Sequence, residues 1–264
     1  MDQTAQYELT HPQQRIWYTE KLHPGTGMWN NAGTLKIKGR IDYALLARAL
    51  NIFLQENDSI RLRVSLDKGV PYQYLVPYEP YRAEIIDFSE LGLDKLYQWD
   101  RQQTMAPMPL IDSRLYYFAF LSVGSNECWL YAKFHHIISD ANSIVEFSNQ
   151  VMESYRRLLE GEVPEETVRP SYLDYLASEQ QYLQSKRYAY DREYWTKRFE
   201  RFSEPTILKP RKTSDMRVDA QRKVFVLSES FAGKIHEYCR MAGISVFAMF
   251  LSALAIYINR ITGK

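Results

Sequence analysis

The segment Phe134-His135-His136-Ile137-Ile138-Ser139-Asp140-Ala141 places two histidines after an apolar run, and an aspartate four residues after the second histidine. Residues 128–134 contain no Gly or Pro and several aromatic side chains, which predicts a buried strand. Apolar residues then recur at helical spacing and predict a helix from about residue 142: Ile144, Phe147, Val151, Tyr155 and Leu158. The histidines therefore lie in a strand-to-helix connection, where a rigid scaffold can direct an imidazole into a cleft.

An imidazole in such a connection can act as a general base near neutral pH. Adjacent histidines at a strand end also occur as packing or surface residues, so the pair by itself does not establish catalysis. Other motifs along the chain are needed to distinguish a catalytic role from a packing role.

The composition is that of a globular protein without a nucleic-acid or membrane-surface footprint. The 264 residues are 45% hydrophobic and 25% charged, and the formal net charge is +1. The N-terminal residues show no signal-peptide pattern. The most apolar run, Val246–Ile258, is shorter than the roughly 20 residues that a membrane span needs, and we expect a core helix there. We therefore predict a cytoplasmic protein with no nucleic-acid partner and no membrane partner.

The cysteines and histidines indicate no metal site. Cys128 and Cys239 both lie in apolar segments, and we expect buried thiols rather than a disulfide scaffold. His11, His23 and His236 are far apart along the chain and lack acidic residues in register, so we expect surface side chains.

The order of predicted elements indicates a mixed α/β fold. Thr10 and Asp42 are expected helix N-caps, and Asp67-Lys68-Gly69 predicts a hairpin turn. The predicted elements are a helix over 10–22, a strand over 33–39, a helix from 43, a hairpin over 60–66 and 70–76, a strand over 81–87, a helix over 93–104, a hairpin over 114–122 and 127–134, a helix over 143–160, a long and broken helix over 171–202, a strand over 217–227, and helices over 229–241 and 245–261.

A lobe boundary is expected in the acidic, proline-containing stretch 162–170. We predict an N-terminal lobe over residues 1–165, followed by linker helices and the start of a second lobe over 166–264. The strand at 217–227 would have no partner in that second region, and an unpaired strand edge is unfavourable. We therefore expect the second lobe to be truncated and the chain to be part of a longer protein.

Four stretches, in the same order, resemble motifs of the condensation domain of non-ribosomal peptide synthetases, a relative of chloramphenicol acetyltransferase. Residues 10–17, THPQQRIW, resemble S-x-A-Q-x-R-L-W, and residues 57–61, NDSIR, resemble R-H-E-x-L-R through their final arginine. Residues 135–141, HHIISDA, resemble H-H-x-x-x-D-G, and residues 172–175, YLDY, resemble Y-x-D-Y. Later motifs of the family, including one shaped like G-x-F-V-N-T, have no counterpart.

The resemblance implies an α/β, chloramphenicol acetyltransferase-like lobe, an α+β two-layer sandwich with a mixed sheet and flanking helices. It further implies that donor and acceptor peptidyl carrier proteins deliver thioesters on phosphopantetheine arms, beside a neighbouring adenylation domain. The acceptor amine attacks the donor thioester and an amide forms. No cofactor is expected to bind the domain directly, and the fragment alone is expected to be inactive.

By the motif match, His136 is the residue expected to act as base or to position the amine. His135 is expected to pack or to orient the loop. Asp140 is expected to be structural, and we hypothesise a buried pair with Arg61; the alternative for Arg61 is a solvated strand face. Ala141 replaces the glycine of the family, so either the loop avoids a positive φ or the site is narrower. Helix capping is the simplest role for three nearby polar residues, Ser139, Asn142 and Ser143, and the sequence identifies no substrate-binding residue.

Three other functions remain open. An acyltransferase that uses free acyl-CoA would share His-x-x-x-Asp, although the stretches at 13–17 and 172–175 favour the synthetase family. A non-catalytic lobe that docks carrier proteins belongs to a different functional class. An epimerisation domain also carries two histidines and an aspartate, but the opening Gln-Arg-Trp pattern fits condensation better.

Overall fold

The computed structural model describes residues 5–162, 169–200, 208 and 223–263. The chain divides into two units, Met1–Tyr188 and Ala189–Lys264. The lobe boundary predicted at residue 165 lies outside the described residues and stays a prediction.

The first unit contains the predicted mixture of strands and helices. Its described elements are β1 (Tyr7–Glu8), α1 (His11–Leu22), β2 (Asn30–Lys38), α2 (Tyr43–Glu56), β3 (Leu62–Asp67), β4 (Val70–Leu75), β5 (Glu84–Asp87), α3 (Gly92–Met105), β6 (Tyr116–Gly124), β7 (Glu127–His135), α4 (Ala141–Leu159) and α5 (Tyr172–Leu183). The predicted N-caps are confirmed, because the Thr10 and Asp42 side chains accept hydrogen bonds from the first turns of α1 and α2. The long helix predicted from residue 171 is broken after α5 and resumes as α6 (Lys186–Phe199).

The strands form two sheets, which confirms the mixed α/β class. The larger sheet has the order β2-β7-β6-β5, with β5 parallel to β6 and the other neighbours antiparallel. The smaller sheet has the order β1-β4-β3 and is antiparallel throughout. β2 begins three residues before the predicted strand, at Asn30. Asn30 pairs with His135 at the end of β7.

Helices cover both faces of β7, which explains why its sequence is apolar without alternation. Four of its side chains pack with α2 and α4 in one core cluster: Cys128, Leu130, Ala132 and Phe134. Trp129 and Tyr131 point the other way and pack with Leu96 of α3. The sheet and the α2/α4 layer therefore enclose the main core. Because β7 packs on both faces, the position of its last residue, His135, is well defined.

The C-terminus of α3 is held by the sheet through two polar side chains. Asn30 Nδ2 donates to the carbonyls of residues 104 and 106 at 2.7 and 2.8 Å. Lys133 Nζ donates to those of residues 103 and 106 at 2.8 and 3.2 Å. A cation at a helix C-terminus is favourable because the carbonyl dipoles point at it. Lys133 is 4% exposed, and burial lowers the pKa of its ammonium group.

The regular elements in the described part of the second unit are helices, and α6 extends into this unit. α7 (Glu229–Ala242) and α8 (Val246–Thr262) begin at the N-caps Ser228 and Ser245. Of the strand predicted over 217–227, residues 217–222 lie outside the described residues, and residues 223–227 have no regular secondary structure.

The expectation that α8 is a core helix is wrong for the described residues. No side chain of α8 is buried, and Phe247 is 75% exposed although the segment is strongly apolar. The reason is that no described element covers the outer face of this helix. No single described helix meets the length and hydropathy of a membrane span, and α7 and α8 do so only when taken together as a pair bent by 96°.

Candidate active site

The predicted strand-to-helix connection is confirmed: β7 ends at His135, α4 begins at Ala141, and residues 136–140 join them. Backbone hydrogen bonds fix the connection at its start. The His135 N–H donates to the Leu115 carbonyl at 2.8 Å, and the His136 N–H donates to the Trp29 carbonyl at 2.7 Å. The two histidines therefore have a defined backbone position before any side-chain contact is considered.

The imidazole of His136 is half-buried, and its Nδ1 lies 2.6 Å from the Ser139 carbonyl oxygen. A carbonyl can only accept, so Nδ1 carries the hydrogen and donates it. In the neutral ring the lone pair is then on Nε2, which is the atom able to take a proton. The Trp29 ring contacts the imidazole edge-on, with 5.7 Å between ring centroids.

In His135 the two ring nitrogens have the opposite hydrogen-bonding roles. Its side chain is 2% exposed, and its Nδ1 accepts the backbone N–H of Ile137 at 3.2 Å, so the hydrogen of the neutral ring is on Nε2. Burial, and secondarily the charge of His136, lowers the pKa of His135 to about 4. His135 is therefore neutral at pH 7, as a buried side chain that packs would be.

We expect His135 to make the protein less stable as the pH falls. Its pKa of about 4 in the folded state lies below the ordinary value of 6.5. Between these values the unfolded chain binds a proton that the folded chain does not, so the free energy of unfolding decreases towards acid pH. The slope for one proton is at most about 1.4 kcal/mol per pH unit.

Urea denaturation of the wild type and of His135→Asn at several pH values between these limits checks this expectation. The variant should show a shallower pH dependence. An identical slope in the two proteins would mean that His135 is not the group responsible.

Asp140 is exposed and is the N-cap of α4. Its carboxylate accepts the backbone N–H of Ser143 at 2.8 Å and the Ser143 hydroxyl at 2.7 Å, and these bonds lower its pKa. The Asp140 N–H donates to Ser143 Oγ at 3.1 Å, which completes a capping box. The predicted capping role is confirmed for Ser143. It is wrong for Ser139, which is 7% exposed and donates its hydroxyl to the His135 carbonyl.

The hypothesised pair between Asp140 and Arg61 is wrong. The Arg61 guanidinium donates to the carbonyls of Leu54 and Gln55 at 2.8 Å each, and to that of Val76 at 3.3 Å. These contacts place a cation at the C-terminus of α2, where the exposed carbonyls favour it. The alternative, a solvated strand face, is wrong as well, because Arg61 is half-buried in a short 3-10 turn before β3.

This geometry lowers the expected cost of Asp140→Ala. Breaking a buried ion pair would cost about 3–5 kcal/mol, whereas losing an exposed N-cap costs about 1 kcal/mol. We expect the smaller value in denaturant unfolding. Asp140→Ser, which keeps an acceptor for the Ser143 N–H, should stay within about 0.5 kcal/mol of the wild type. A loss of 3 kcal/mol or more on Asp140→Ala would contradict a purely capping role.

Ala141 is the first residue of α4 and is exposed. The non-glycine residues of the described chain with positive φ are Lys68 and Asp112. Ala141 is not one of them, so the backbone here does not need glycine.

The first sequence motif contacts the histidine connection through Gln13, a contact that the sequence did not predict. Gln13 is 4% exposed, and its Nε2 donates to the Ile137 carbonyl at 3.1 Å and to Gln73 Oε1 at 2.9 Å. Its Oε1 accepts the Thr10 N–H at 2.9 Å. The amide therefore joins α1, β4 and the connection, and its place inside the first motif was the only signal in the sequence.

The second and fourth motifs also meet. The Asp58 carboxylate accepts the Tyr172 N–H at 2.9 Å and the Ser171 hydroxyl, at the start of α5. Four of the predicted site residues lie in the connection or directly beside it, and Arg61 lies apart: His135, His136, Asp140 and Ala141. Among the described residues, no group of three or more His, Cys, Asp or Glu side chains is arranged to hold a metal ion.

Comparisons with known proteins show the family of this chain. A family model described as "Condensation domain" matches residues 3–264. The chain is 37% identical over 263 residues to surfactin synthase subunit 1 of Bacillus subtilis, a match that covers 98% of this chain and 7% of that protein. It is 36% identical over 265 residues to a plipastatin synthase protein of the same organism, covering 98% of this chain and 10% of that protein.

Solved structures show the same fold. A double mutant of the starter condensation domain of rhizomide synthetase superimposes with a TM-score of 0.86 at 26% identity, over 98% of this chain and 59% of that chain. The unmutated domain superimposes with a TM-score of 0.72 at 28% identity, over 78% of this chain and 50% of that chain. The chain spans a small part of the synthetases that it matches, yet the family match extends over nearly all of its own length. The protein therefore belongs to the condensation-domain family.

Proposed function

We propose that this protein forms an amide bond between two carrier-bound aminoacyl or peptidyl thioesters in non-ribosomal peptide synthesis, in the cytoplasm. The observation that carries the proposal is the geometry of His136 in a chain of the condensation family. Its Nδ1 is bonded to the Ser139 carbonyl, so the basic lone pair is on Nε2 of a half-buried ring.

The chemistry needs a nitrogen nucleophile, a thioester and an acceptor for one proton. The neutral amine of the acceptor attacks the thioester carbonyl of the donor, and a carbon–nitrogen bond forms. His136 Nε2 accepts the proton that the nitrogen loses. The carbon–sulfur bond then breaks, and the thiolate of the donor arm leaves and is protonated. The acceptor arm now carries the lengthened amide.

His135 and Asp140 support this step without taking part in it. The buried and neutral His135 accepts the Ile137 N–H and shapes the connection. Asp140 fixes the start of α4. Because a well-oriented pair of reactants gains a large effective molarity, the precision of this connection contributes to rate as well as to stability.

The proposed partners are a donor and an acceptor peptidyl carrier protein, with a neighbouring adenylation domain. The thioesters arrive on phosphopantetheine arms that belong to the carriers, and we propose no cofactor bound to the condensation domain. The support is similarity to two named synthase proteins, of which this chain spans 7% and 10%.

A second candidate is an acyltransferase that takes its donor from acyl-CoA. One specific observation favours it. A mutant of the rhizomide synthetase starter condensation domain, 27% identical over 78% of this chain, was solved in complex with C8-CoA. An acyl-CoA donor would change the source of the thioester but not the role of His136.

One experiment separates these functions. Because this chain alone is expected to be inactive, the complete synthetase protein that contains it is incubated with an aminoacyl acceptor carrier and either a carrier-bound donor or an acyl-CoA donor, and the acceptor carrier is weighed by mass spectrometry. The main proposal predicts an amide product with the carrier-bound donor. Product with acyl-CoA alone would favour the second candidate. No product with either donor would indicate a non-catalytic docking lobe.

A further inference from the structure

A second asparagine at the start of β2 contacts the group that fixes the His136 ring. Asn31 pairs with Phe134 across the sheet, and its Nδ2 lies 3.4 Å from the Ser139 carbonyl oxygen and 3.3 Å from Ser139 Oγ. The same carbonyl oxygen accepts the hydrogen of His136 Nδ1 at 2.6 Å. Asn31 therefore contacts both oxygen atoms of Ser139 from the strand that neighbours β7.

The contact is chemically consistent. A carbonyl oxygen has two lone pairs and can accept from the imidazole and from the amide at the same time. The Ser139 hydroxyl also accepts from Asn31 while it donates to the His135 carbonyl at 3.1 Å. The Ser139 peptide is thus held between β2 and the end of β7, two neighbouring strands of one sheet.

The position on a strand matters because strands of a packed sheet hold side chains more precisely than loops do. Successive side chains of a strand point to opposite faces. Asn30 binds the end of α3 on one face, and Asn31 binds the residue before the N-cap of α4 on the other. The first two residues of β2 thus hold two separate parts of the unit in place.

We propose that Asn31 is a positioning residue for His136: by holding the Ser139 carbonyl it keeps the hydrogen of the neutral imidazole on Nδ1 and the lone pair on Nε2. The inference rests on the proposed function of His136 for its catalytic meaning, but the position of the hydrogen is a property of the protein alone. Both Asn31 distances exceed the roughly 2.7–3.2 Å that is usual for N–H···O hydrogen bonds, so each bond is weak. The expected effect is accordingly modest, a loss of about threefold in kcat.

The informative variant is Asn31→Asp, which keeps the shape, removes the donor and turns an acceptor towards the carbonyl. Asn31→Ala removes the donor without adding charge and serves if the aspartate variant does not fold. The matched control is Asn149→Asp, the same chemical change at an exposed position of α4. The kinetics use the complete synthetase protein that contains this chain, and the NMR comparison uses the chain itself.

Two readouts are compared. NMR of protein labelled with ¹⁵N in its histidines reports which ring nitrogen carries the hydrogen, and this chain has five histidines to assign. Steady-state kinetics report kcat and KM for the carrier-bound thioesters. We expect wild-type His136 to give the pattern of hydrogen on Nδ1. In the Asn31 variants we expect a mixture of both forms, a kcat about threefold lower and a KM that is unchanged within error.

The control should match the wild type in both readouts. A wild-type spectrum with the hydrogen of His136 on Nε2 would overturn the proposal without any variant. Unchanged His136 signals and unchanged kcat in Asn31→Asp or Asn31→Ala would overturn it too. If the wild type forms no amide product, the proposed function fails, while the NMR comparison still decides the role of Asn31.

Discussion

The His136→Ala variant should form carrier-bound amide product about 10²- to 10³-fold more slowly than the wild type, because a positioned general base contributes about 10²–10⁴-fold. The reason is structural. The Ser139 carbonyl occupies Nδ1 at 2.6 Å and leaves Nε2 as the basic atom of the ring, while the neighbouring His135 is buried and its pKa is lowered to about 4. The rate of product formation is measured by mass spectrometry of the acceptor carrier in single turnover.

A glutamine at position 136 separates a base from a group that only positions the amine. Its amide can hydrogen-bond but cannot accept the proton at neutral pH. If His136 is the base, His136→Gln should be as slow as His136→Ala, and recovery of most of the rate would assign a positioning role instead. His236→Ala, at an exposed position of α7, is the control and should keep the wild-type rate. A His136→Ala protein with unchanged rate would remove the catalytic assignment.

Gly27→Ala should destabilise the protein by about 1–3 kcal/mol, which is the usual range for overpacking a closed site. A Cβ at Gly27 would lie 2.9 Å from the Met105 carbonyl carbon and from Asn30 Nδ2, and closer still to the Met105 oxygen. Met105 is the last residue of α3, and Asn30 anchors that helix end. Either the helix end or the start of β2 has to move. Urea denaturation gives the change in the free energy of unfolding.

Gly33→Ala provides the matched control on the same strand. A Cβ at Gly33 would meet no atom within 4 Å, and its φ is not positive. We expect a change within about 0.5 kcal/mol, as for other substitutions at open positions. Equal losses in the two variants would show that alanine is generally unfavourable in this part of the chain, and that the approach of Gly27 to α3 is not the cause.

The strand-to-helix connection could be predicted from the sequence because its signals are local. An apolar run followed by helical periodicity fixes the two elements, and an aspartate just before the periodic residues is a common N-cap. The helix starts at Ala141, one or two residues before the predicted start at residue 142 or 143. The two N-caps Thr10 and Asp42 were predictable for the same reason.

The pairing of Arg61 could not be predicted, since shared membership of family motifs does not say which groups touch. The arginine side chain has five N–H donors. In this protein the Arg61 side chain donates to carbonyls at the end of α2, which lie only six and seven residues before it in the sequence. The exposed α8 was missed for a related reason. Apolar periodicity identifies a helix face that favours burial, but it does not show whether another part of the chain packs against that face.

The contacts that hold the histidine connection are long-range and leave no local pattern. Gln13 and Ile137 are 124 residues apart, and Asn31 and Ser139 are 108 residues apart. Both contacts depend on tertiary structure. The first depends on the packing of α1, and the second depends on the pairing of β2 with β7. Sequence reasoning therefore predicted His136 as a site residue, but it could not predict the Gln13 and Asn31 amides that contact the connection.

The opposite hydrogen-bonding of the two adjacent rings has a consequence for chemical labelling. An acylating reagent such as diethyl pyrocarbonate attacks an unprotonated, accessible imidazole nitrogen, and His136 is half-buried with its Nε2 lone pair available, whereas His135 is 2% exposed. Two side chains that look equivalent in the primary structure should thus react at very different rates, and peptide mapping would find the carbethoxyl group on the second of them.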